Sequence, residues 1–174
     1  YQTALEWYKK ASELGNAYAQ KNLADLYYNG YGVDVDYHEA AKWYLKAAEG
    51  GNSNAQESIA YCYQLGNGVE QDYQKSIEWR RKGADNGNNT CISNLGWHYQ
   101  YGKGVTQDYG KAFEYYKKAS DNGDDWAKNK LGEFYENGYG VAVNIQEAIK
   151  WYREAAKLGN EDAKASLERL GESL

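Results

Sequence analysis

A strict internal period of 36 residues runs through the chain. The aromatic residues that show it best, spaced 36 apart without an insertion, are Trp7, Trp43, Trp79, Tyr115 and Trp151. A fixed period of this length indicates an array of stacked supersecondary units, none of which buries its apolar face alone. The 174 residues divide into a half repeat at 1–16, full repeats at 17–52, 53–88, 89–124 and 125–160, and a closing segment at 161–174.

Each full repeat carries two stretches of apolar residues at helical spacing. Gly30 stands where the first helix must end, because glycine adopts a left-handed backbone without the penalty of a Cβ. Asp36 is placed to cap the second helix, and Glu39 three residues later would complete a capping box. The sequence therefore predicts an all-α fold, an α/α superhelical solenoid, in which 1–16 is a second helix and 161–174 is a capping helix.

In the first full repeat the motif reads Ala19-Gln20, Leu23, Tyr27, Gly30-x-Gly32-Val33, Asp36-Tyr37, Ala40, Trp43-Tyr44, Lys46-Ala47-Ala48 and Gly51. This pattern resembles the Sel-1-like repeats, short-period relatives of the tetratricopeptide repeats. The resemblance implies a non-catalytic adaptor that binds a peptide or protein element in a concave groove. Because some members are described as hydrolases, an envelope-associated hydrolase or peptidoglycan-acting protein is one alternative. A structural repeat array that self-associates through the N-terminal half repeat is another, although we expect a monomer.

The concave face of a tetratricopeptide-like array is lined by first-helix positions, and here these are positions at which the copies disagree. We expect the partner-binding residues to be Tyr18, Lys21, Asp25, Tyr28, Glu57, Tyr61, Gln64, Trp97, Gln100, Tyr101, Trp126, Asn129, Glu133 and Glu136. Trp97 and Trp126 lie outside the repeated tryptophan position, and large exposed aromatic side chains often carry binding energy. The alternative is that they pack against each other or a neighbouring helix and only stabilise the fold. Acidic side chains predominate among the charged positions, which favours a polar or basic ligand.

Composition excludes several classes of partner. With 20 basic and 25 acidic residues, and a net charge of −5, the chain lacks the positive surface that nucleic acid requires. No apolar stretch approaches the roughly 18 residues of a membrane span. The chain begins at Tyr1 and not at Met, which indicates a segment of a longer chain and leaves the localisation open.

No residue pattern indicates catalysis, a metal or a cofactor. Cys62 and Cys91 replace core residues in different repeats, so we expect free buried thiols, which favour a reducing compartment. His98 takes the same core position as Cys62 in another repeat, and we expect a histidine whose hydrogen bonds are satisfied. Glu133 and Glu136 share a helix face, but nothing in a solvated groove would raise a carboxyl pKa for acid–base work.

Two further positions deviate from the repeats. Arg80 replaces the tyrosine of the other copies, and Gly83 replaces an alanine. We interpret this copy as degenerate; the alternative is a local bend that presents a cationic spot. Asn88 opens a formal glycosylation triplet, which falls on a helix-capping turn.

Overall fold

The computed structural model describes residues 1–173, which contain ten α-helices and no β-strand. The helices are α1 (Gln2–Glu13), α2 (Ala17–Asn29), α3 (Tyr37–Glu49), α4 (Ser53–Leu65), α5 (Tyr73–Asp85), α6 (Asn89–Tyr101), α7 (Tyr109–Asp121), α8 (Asp125–Asn137), α9 (Ile145–Lys157) and α10 (Glu161–Arg169). Consecutive helices pack on each other, as in a solenoid of helical hairpins. The predicted all-α repeat fold is confirmed.

The helix ends are fixed by the side chains that the sequence indicated. The Asn16 side chain accepts a hydrogen bond from the Ala19 N–H at 2.9 Å, and the equivalent residue caps α4, α6, α8 and α10. Gly30 ends α2 with a positive φ of 72°. The Asp36 side chain caps α3 by accepting from the Glu39 N–H. The second bond of the predicted capping box, from the Asp36 N–H to the Glu39 carboxylate, is wrong. The Asp36 N–H is already bonded to the Tyr27 carbonyl, so the Glu39 carboxylate pairs with Lys42.

The chain forms two compact units, one spanning Tyr1–Cys91 and the other beginning at Ile92. In the first unit, small alanines such as Ala24 and Ala40 let the helices approach closely around Tyr44 and Ile59. In the second unit, Ala148, Tyr152 and Leu167 belong to a buried cluster formed by α9 and α10. Among the described residues, no helix combines the length and the apolar character that crossing a bilayer requires.

Helix α1, the half repeat, differs from later second helices in exposure. Its Trp7 is 67% exposed, whereas Trp151 at the same repeat position is 9% exposed. Leu14, after the end of α1, is also exposed. Self-association through this half repeat stays a prediction.

Candidate functional site

The two tryptophans at variable positions lie in the second compact unit and are half-buried, not exposed as expected. Trp126 packs edge-on against Tyr116, with ring centroids 5.5 Å apart, and Lys130 lies over its ring. Trp97 packs against the neighbouring Tyr101 ring at 5.4 Å. Both indole rings therefore contribute to packing, and Tyr101 is the more accessible aromatic residue at 48% exposed.

Two other predicted contact residues are buried. Gln100 is 5% exposed and accepts a hydrogen bond from the Tyr116 hydroxyl at 2.7 Å. Asn129 is 2% exposed, and its amide nitrogen donates to Glu133 at 3.2 Å. We expected both residues to be exposed, and this expectation is wrong. Helix α7, which carries Tyr116, covers Gln100, and Glu133 lies one helical turn from Asn129 and bonds to it. These two residues position other side chains and present little surface to solvent.

In the first compact unit the predicted positions differ widely in accessibility. Tyr18 is 75% exposed and Tyr61 is 43% exposed. Lys21 and Asp25 form an ion pair one helical turn apart at 2.6 Å. Tyr28 is half-buried, and its hydroxyl oxygen accepts a hydrogen bond from Asn67 at 2.8 Å.

A buried second-helix side chain reaches the variable face in each full repeat. The tyrosine hydroxyls donate from Tyr44 to Asp25, from Tyr116 to Gln100 and from Tyr152 to Glu136, each at 2.7 Å. The polar side chain on the variable face is therefore fixed from behind by a donor in the core.

One position in the first helix holds a small residue that packs against the anchoring tyrosine. It is glycine where the tyrosine bonds to Gln100 or Glu136, and alanine where it bonds to Asp25. A Cβ built on Gly96 would overlap the Tyr116 ring, and one built on Gly132 would overlap the Tyr152 ring. The equivalent residue in the first full repeat is Ala24. These mid-helix glycines are needed for close approach of the rings, not for backbone conformation.

Arg80 takes the place of the anchoring tyrosine and is completely buried, with 1% of its side chain exposed. Its Nε and Nη2 donate to the two Glu57 carboxylate oxygens at 3.0 and 2.9 Å. Its Nη1 donates to Gln64 at 2.6 Å and to the Ser76 hydroxyl at 3.2 Å. Both interpretations of Arg80 are therefore corrected: it is neither a degenerate position nor an exposed cationic spot, because four acceptor atoms compensate the buried charge.

Gly83 and Cys91 complete this set. A Cβ on Gly83 would overlap the Cys91 sulfur, which itself replaces an alanine of the other repeats. The Cys91 thiol donates to the Glu57 carboxylate at 3.2 Å. Burial, followed by the charge of Glu57, raises the pKa of the Cys91 thiol, so the group stays protonated and uncharged.

A cavity of about 480 Å³ lies within the second compact unit. Four of its lining residues were predicted contact residues, namely Gln100, Tyr101, Glu133 and Glu136. A fifth, Asn137, also takes a variable first-helix position, and the lining residues that the sequence did not predict are Gln107, Tyr109, Tyr139, Tyr152, Ser166 and Arg169. The tyrosines among them belong to second helices and turns, which the periodic pattern marks as structural. Arg169 takes the repeat position of Asp25, Tyr61, Trp97 and Glu133, but it falls in the segment 161–174 predicted as a capping helix and is therefore not among the predicted contact residues.

The carboxylates of the cavity are held by cations and hydroxyls. Glu133 accepts from the Lys130 ammonium at 2.8 Å. Glu136 accepts from the Tyr152 hydroxyl and from both terminal nitrogens of Arg169, at 2.6 and 2.8 Å. The Arg169 guanidinium and the Tyr152 hydroxyl hold the pKa of Glu136 below its usual range. A carboxyl group in this state remains ionised near neutral pH and is suited to binding a cation, not to donating a proton.

The remaining candidate residues have structural surroundings. Both cysteines are free and buried, as predicted, and burial raises the pKa of Cys62 to about 12. His98 is buried with its Nδ1 2.7 Å from the Lys103 carbonyl. The other histidine of the chain, His38, is exposed with its Nδ1 2.9 Å from the Gly68 carbonyl. The Asn88 amide donates to the Ser53 carbonyl and to Asn54, so a glycan there would break these bonds. Within residues 1–173, no group of three or more potential protein ligands is arranged to hold a metal ion.

The comparisons with known proteins decide the family. A model of the Sel1 repeat matches residues 1–16, 17–52, 53–88, 91–124 and 127–160. This chain belongs to the Sel1 repeat family. Sel1 repeats are generally protein-interaction modules, and the fold is typically a non-catalytic scaffold. A search of curated protein sequences gives no significant match.

Several solved structures share the Sel1 fold with this chain. A Sel1 repeat protein from Oxalobacter formigenes is 36% identical, with a TM-score of 0.89 over 94% of this chain and 67% of that protein. The protective antigen c5321 of uropathogenic Escherichia coli is 35% identical, with a TM-score of 0.85 over 92% of this chain and 34% of the antigen. The immunity protein Pa5087 from Pseudomonas aeruginosa is 28% identical, with a TM-score of 0.66 over 95% and 61%. This chain thus spans about two thirds, one third and three fifths of these proteins respectively.

Proposed function

We propose that this Sel1 repeat chain binds an extended, basic segment of a partner protein at the cavity of its second compact unit. The observation that carries the proposal is the coincidence of a cavity of about 480 Å³ with four of the variable positions. Variable side chains that line a concave site on a repeated scaffold are the usual source of specificity in solenoid proteins.

The carboxylates of the cavity favour a cation. Both Glu133 and Glu136 line the cavity, and the cations that pair with them are side chains of the chain itself, Lys130 and Arg169. The exposed ring of Tyr101, and the partly exposed rings of Tyr109 and Tyr139, surround these groups. Aromatic faces attract cations, and aromatic burial supplies affinity that surface ion pairs alone do not. An acidic segment would meet the carboxylates and bind weakly.

The binding energy would come mainly from groups that are already fixed. The Tyr152 hydroxyl and Lys130 hold the two carboxylates, and Tyr109 stacks on Tyr139 with centroids 4.9 Å apart. A site whose side chains are already ordered loses little conformational entropy when a ligand binds. Half-buried Trp97 and Trp126 support Tyr101 and Tyr116 from the same unit.

A peptide array of fixed length, in which basic, neutral and acidic sequences are matched for hydropathy, tests the proposal. We expect the chain to retain basic peptides preferentially, and we expect Tyr101→Ala combined with Glu133→Gln to reduce retention at least tenfold. The matched control is Tyr31→Ala combined with Glu70→Gln, two exposed positions in the first compact unit. Equal retention of acidic and basic peptides, or equal loss in both double variants, would contradict the proposal.

A further inference from the structure

The side chain of Arg169 lines the cavity and pairs there with Glu136. Arg169 lies at the end of α10, at the repeat position taken by Trp97 and Glu133 in earlier repeats. Its guanidinium forms a two-point contact with the Glu136 carboxylate, with nitrogen–oxygen distances of 2.6 and 2.8 Å. The Arg169 side chain is 57% exposed, whereas that of Glu136 is 15% exposed. The long, solvated side chain of Arg169 therefore donates to a carboxylate that is mostly buried.

The orientation of the acceptor does not depend on Arg169 alone. The Tyr152 hydroxyl donates to Oε2 of Glu136 at 2.7 Å from the core side. Tyr152 is completely buried against Gly132, so this donor is fixed by packing. If Arg169 moved away, Glu136 would keep its position and would present both oxygens to the cavity.

The chemistry of the cavity suits a guanidinium group. A carboxylate that accepts two parallel N–H bonds matches the planar fork of an arginine, whereas a lysine ammonium makes only a point contact. Tyr101, Tyr109 and Tyr139 line the same cavity, and the face of a phenol ring attracts a flat cation.

We propose that this cavity is an arginine subsite, in which an arginine of the bound segment takes the place of Arg169 on Glu136. The inference rests on the proposed function and names the side chain that the segment must carry. Because the two guanidinium groups compete for one carboxylate, Arg169 lowers the apparent affinity for the ligand by the fraction of time that it occupies the site. Removing Arg169 therefore improves binding, although it removes a native ion pair.

The test uses three blocked tripeptides, acetyl-Gly-Xaa-Gly-amide with arginine, lysine or citrulline, titrated into the ¹⁵N-labelled chain. Affinity is measured from amide chemical-shift changes in the second compact unit. We expect Arg169→Gln to bind the arginine peptide at least threefold more tightly than the native chain, and citrulline and lysine peptides to bind at least threefold more weakly than arginine. Adding Glu136→Gln to Arg169→Gln is expected to reduce arginine binding at least tenfold.

Arg153→Gln is the matched control, because Arg153 also pairs with a glutamate, Glu172, at 2.6 Å but lies outside the cavity. It should leave arginine binding unchanged. Should Arg169→Gln disturb α10 in the spectrum, Arg169→Lys keeps the charge, loses the fork, and is expected to give a smaller gain. An unchanged or weakened affinity in the Arg169 variants, or equal binding of arginine and citrulline peptides, would overturn the subsite. Preference for basic peptides on the array would still stand in that event, so failure of the subsite is distinguishable from failure of the proposed function.

Discussion

Four deviations in the second and third full repeats form one complementary set at the residue scale. Arg80 supplies a charge that Glu57 neutralises, and Gly83 gives up the volume that the Cys91 sulfur requires. Each change alone would destabilise the core, either because a buried charge would lack a partner or because atoms would overlap. Together they replace the tyrosine-and-alanine arrangement of the other repeats.

Arg80→Met is expected to lower the free energy of unfolding by about 3 kcal/mol, because it leaves Glu57 without its charged partner in a low-dielectric site. The double variant Glu57→Gln with Arg80→Met should lose less than Arg80→Met alone, since no charge then remains. Urea unfolding followed by circular dichroism measures both. Arg81→Met changes an exposed neighbour and should stay within about 0.5 kcal/mol of the native chain. A double variant less stable than the single one would contradict the ion-pair explanation.

Gly83→Ala is expected to destabilise the chain by about 1–3 kcal/mol, although alanine is the better helix former, because its Cβ overlaps the Cys91 sulfur. Combining it with Cys91→Ala recreates the Ala47–Ala55 pair of the preceding repeat and should restore most of the loss. Thermal unfolding of the two single variants and the double variant completes the cycle. Simple additivity of the two changes would show that the volumes are not coupled.

The candidate site shows which residue-level features a periodic sequence reveals. Variable positions are visible by comparing repeats, so Tyr101, Glu133 and Glu136, which line the cavity, are among the predicted contact residues. The exposure of a variable side chain is not visible, because it depends on whether a neighbouring helix covers it. That is why Trp97 and Trp126 were expected to be exposed but are half-buried.

At the element scale, α10 contacts α8 through a charged pair across the cavity. Arg169 at the end of α10 pairs with Glu136 in α8, while Ala163 and Leu167 pack into the core of the second unit. At the other end of α10 its capping residue Asn160 donates to Asp125 of α8 at 2.9 Å. The short helix therefore combines an apolar face with a polar tether at each end. Because the Arg169 tether includes an ionised carboxylate of lowered pKa, its contribution depends on pH.

Glu136→Gln is expected to destabilise the second unit by about 1 kcal/mol at pH 7. The folded pKa of Glu136 lies below the unfolded value, so its stabilisation is fully present above the unfolded pKa and is lost as the pH falls through the folded pKa. The difference between native chain and variant should therefore shrink between about pH 5 and pH 3. Urea unfolding at several pH values measures it. A difference that stays constant across this range would rule out the carboxylate as its source.

At the scale of the whole molecule, the 36-residue period and the residues that begin and end each helix predicted the fold. The glycines that end first helices, the Asn and Asp caps and the alanine positions all follow the 36-residue spacing, and the observed helices follow it too. The sequence did not reveal the division at Ile92, because the period continues unchanged through it. Local signals specify each helix, whereas cohesion between repeats depends on the packing of many side chains.

Both thiols lie in the first compact unit, so their reactivity reports its opening. Neither Cys62 nor Cys91 is accessible, and burial raises the pKa of each thiol, which suppresses the reactive thiolate. We expect a chromogenic disulfide reagent to label neither thiol within minutes in native buffer, and both in 6 M urea.

The variants Cys62→Ser and Cys91→Ser assign the labelling to single thiols. Both remaining thiols should become reactive over the same range of urea concentration if the first unit opens as a whole. Fast labelling of either one in native buffer would contradict its burial.

The link between each buried second-helix donor and its partner on the variable face limits how a repeat can diverge. Exchanging an acceptor such as Gln100 for an aliphatic side chain would leave the Tyr116 hydroxyl without a partner inside the protein, so donor and acceptor must change in the same evolutionary step or in quick succession. Recognition surfaces in this chain should consequently evolve by swapping whole matched pairs, and duplication of an intact hairpin, which copies both members at once, is the simplest route to a new one.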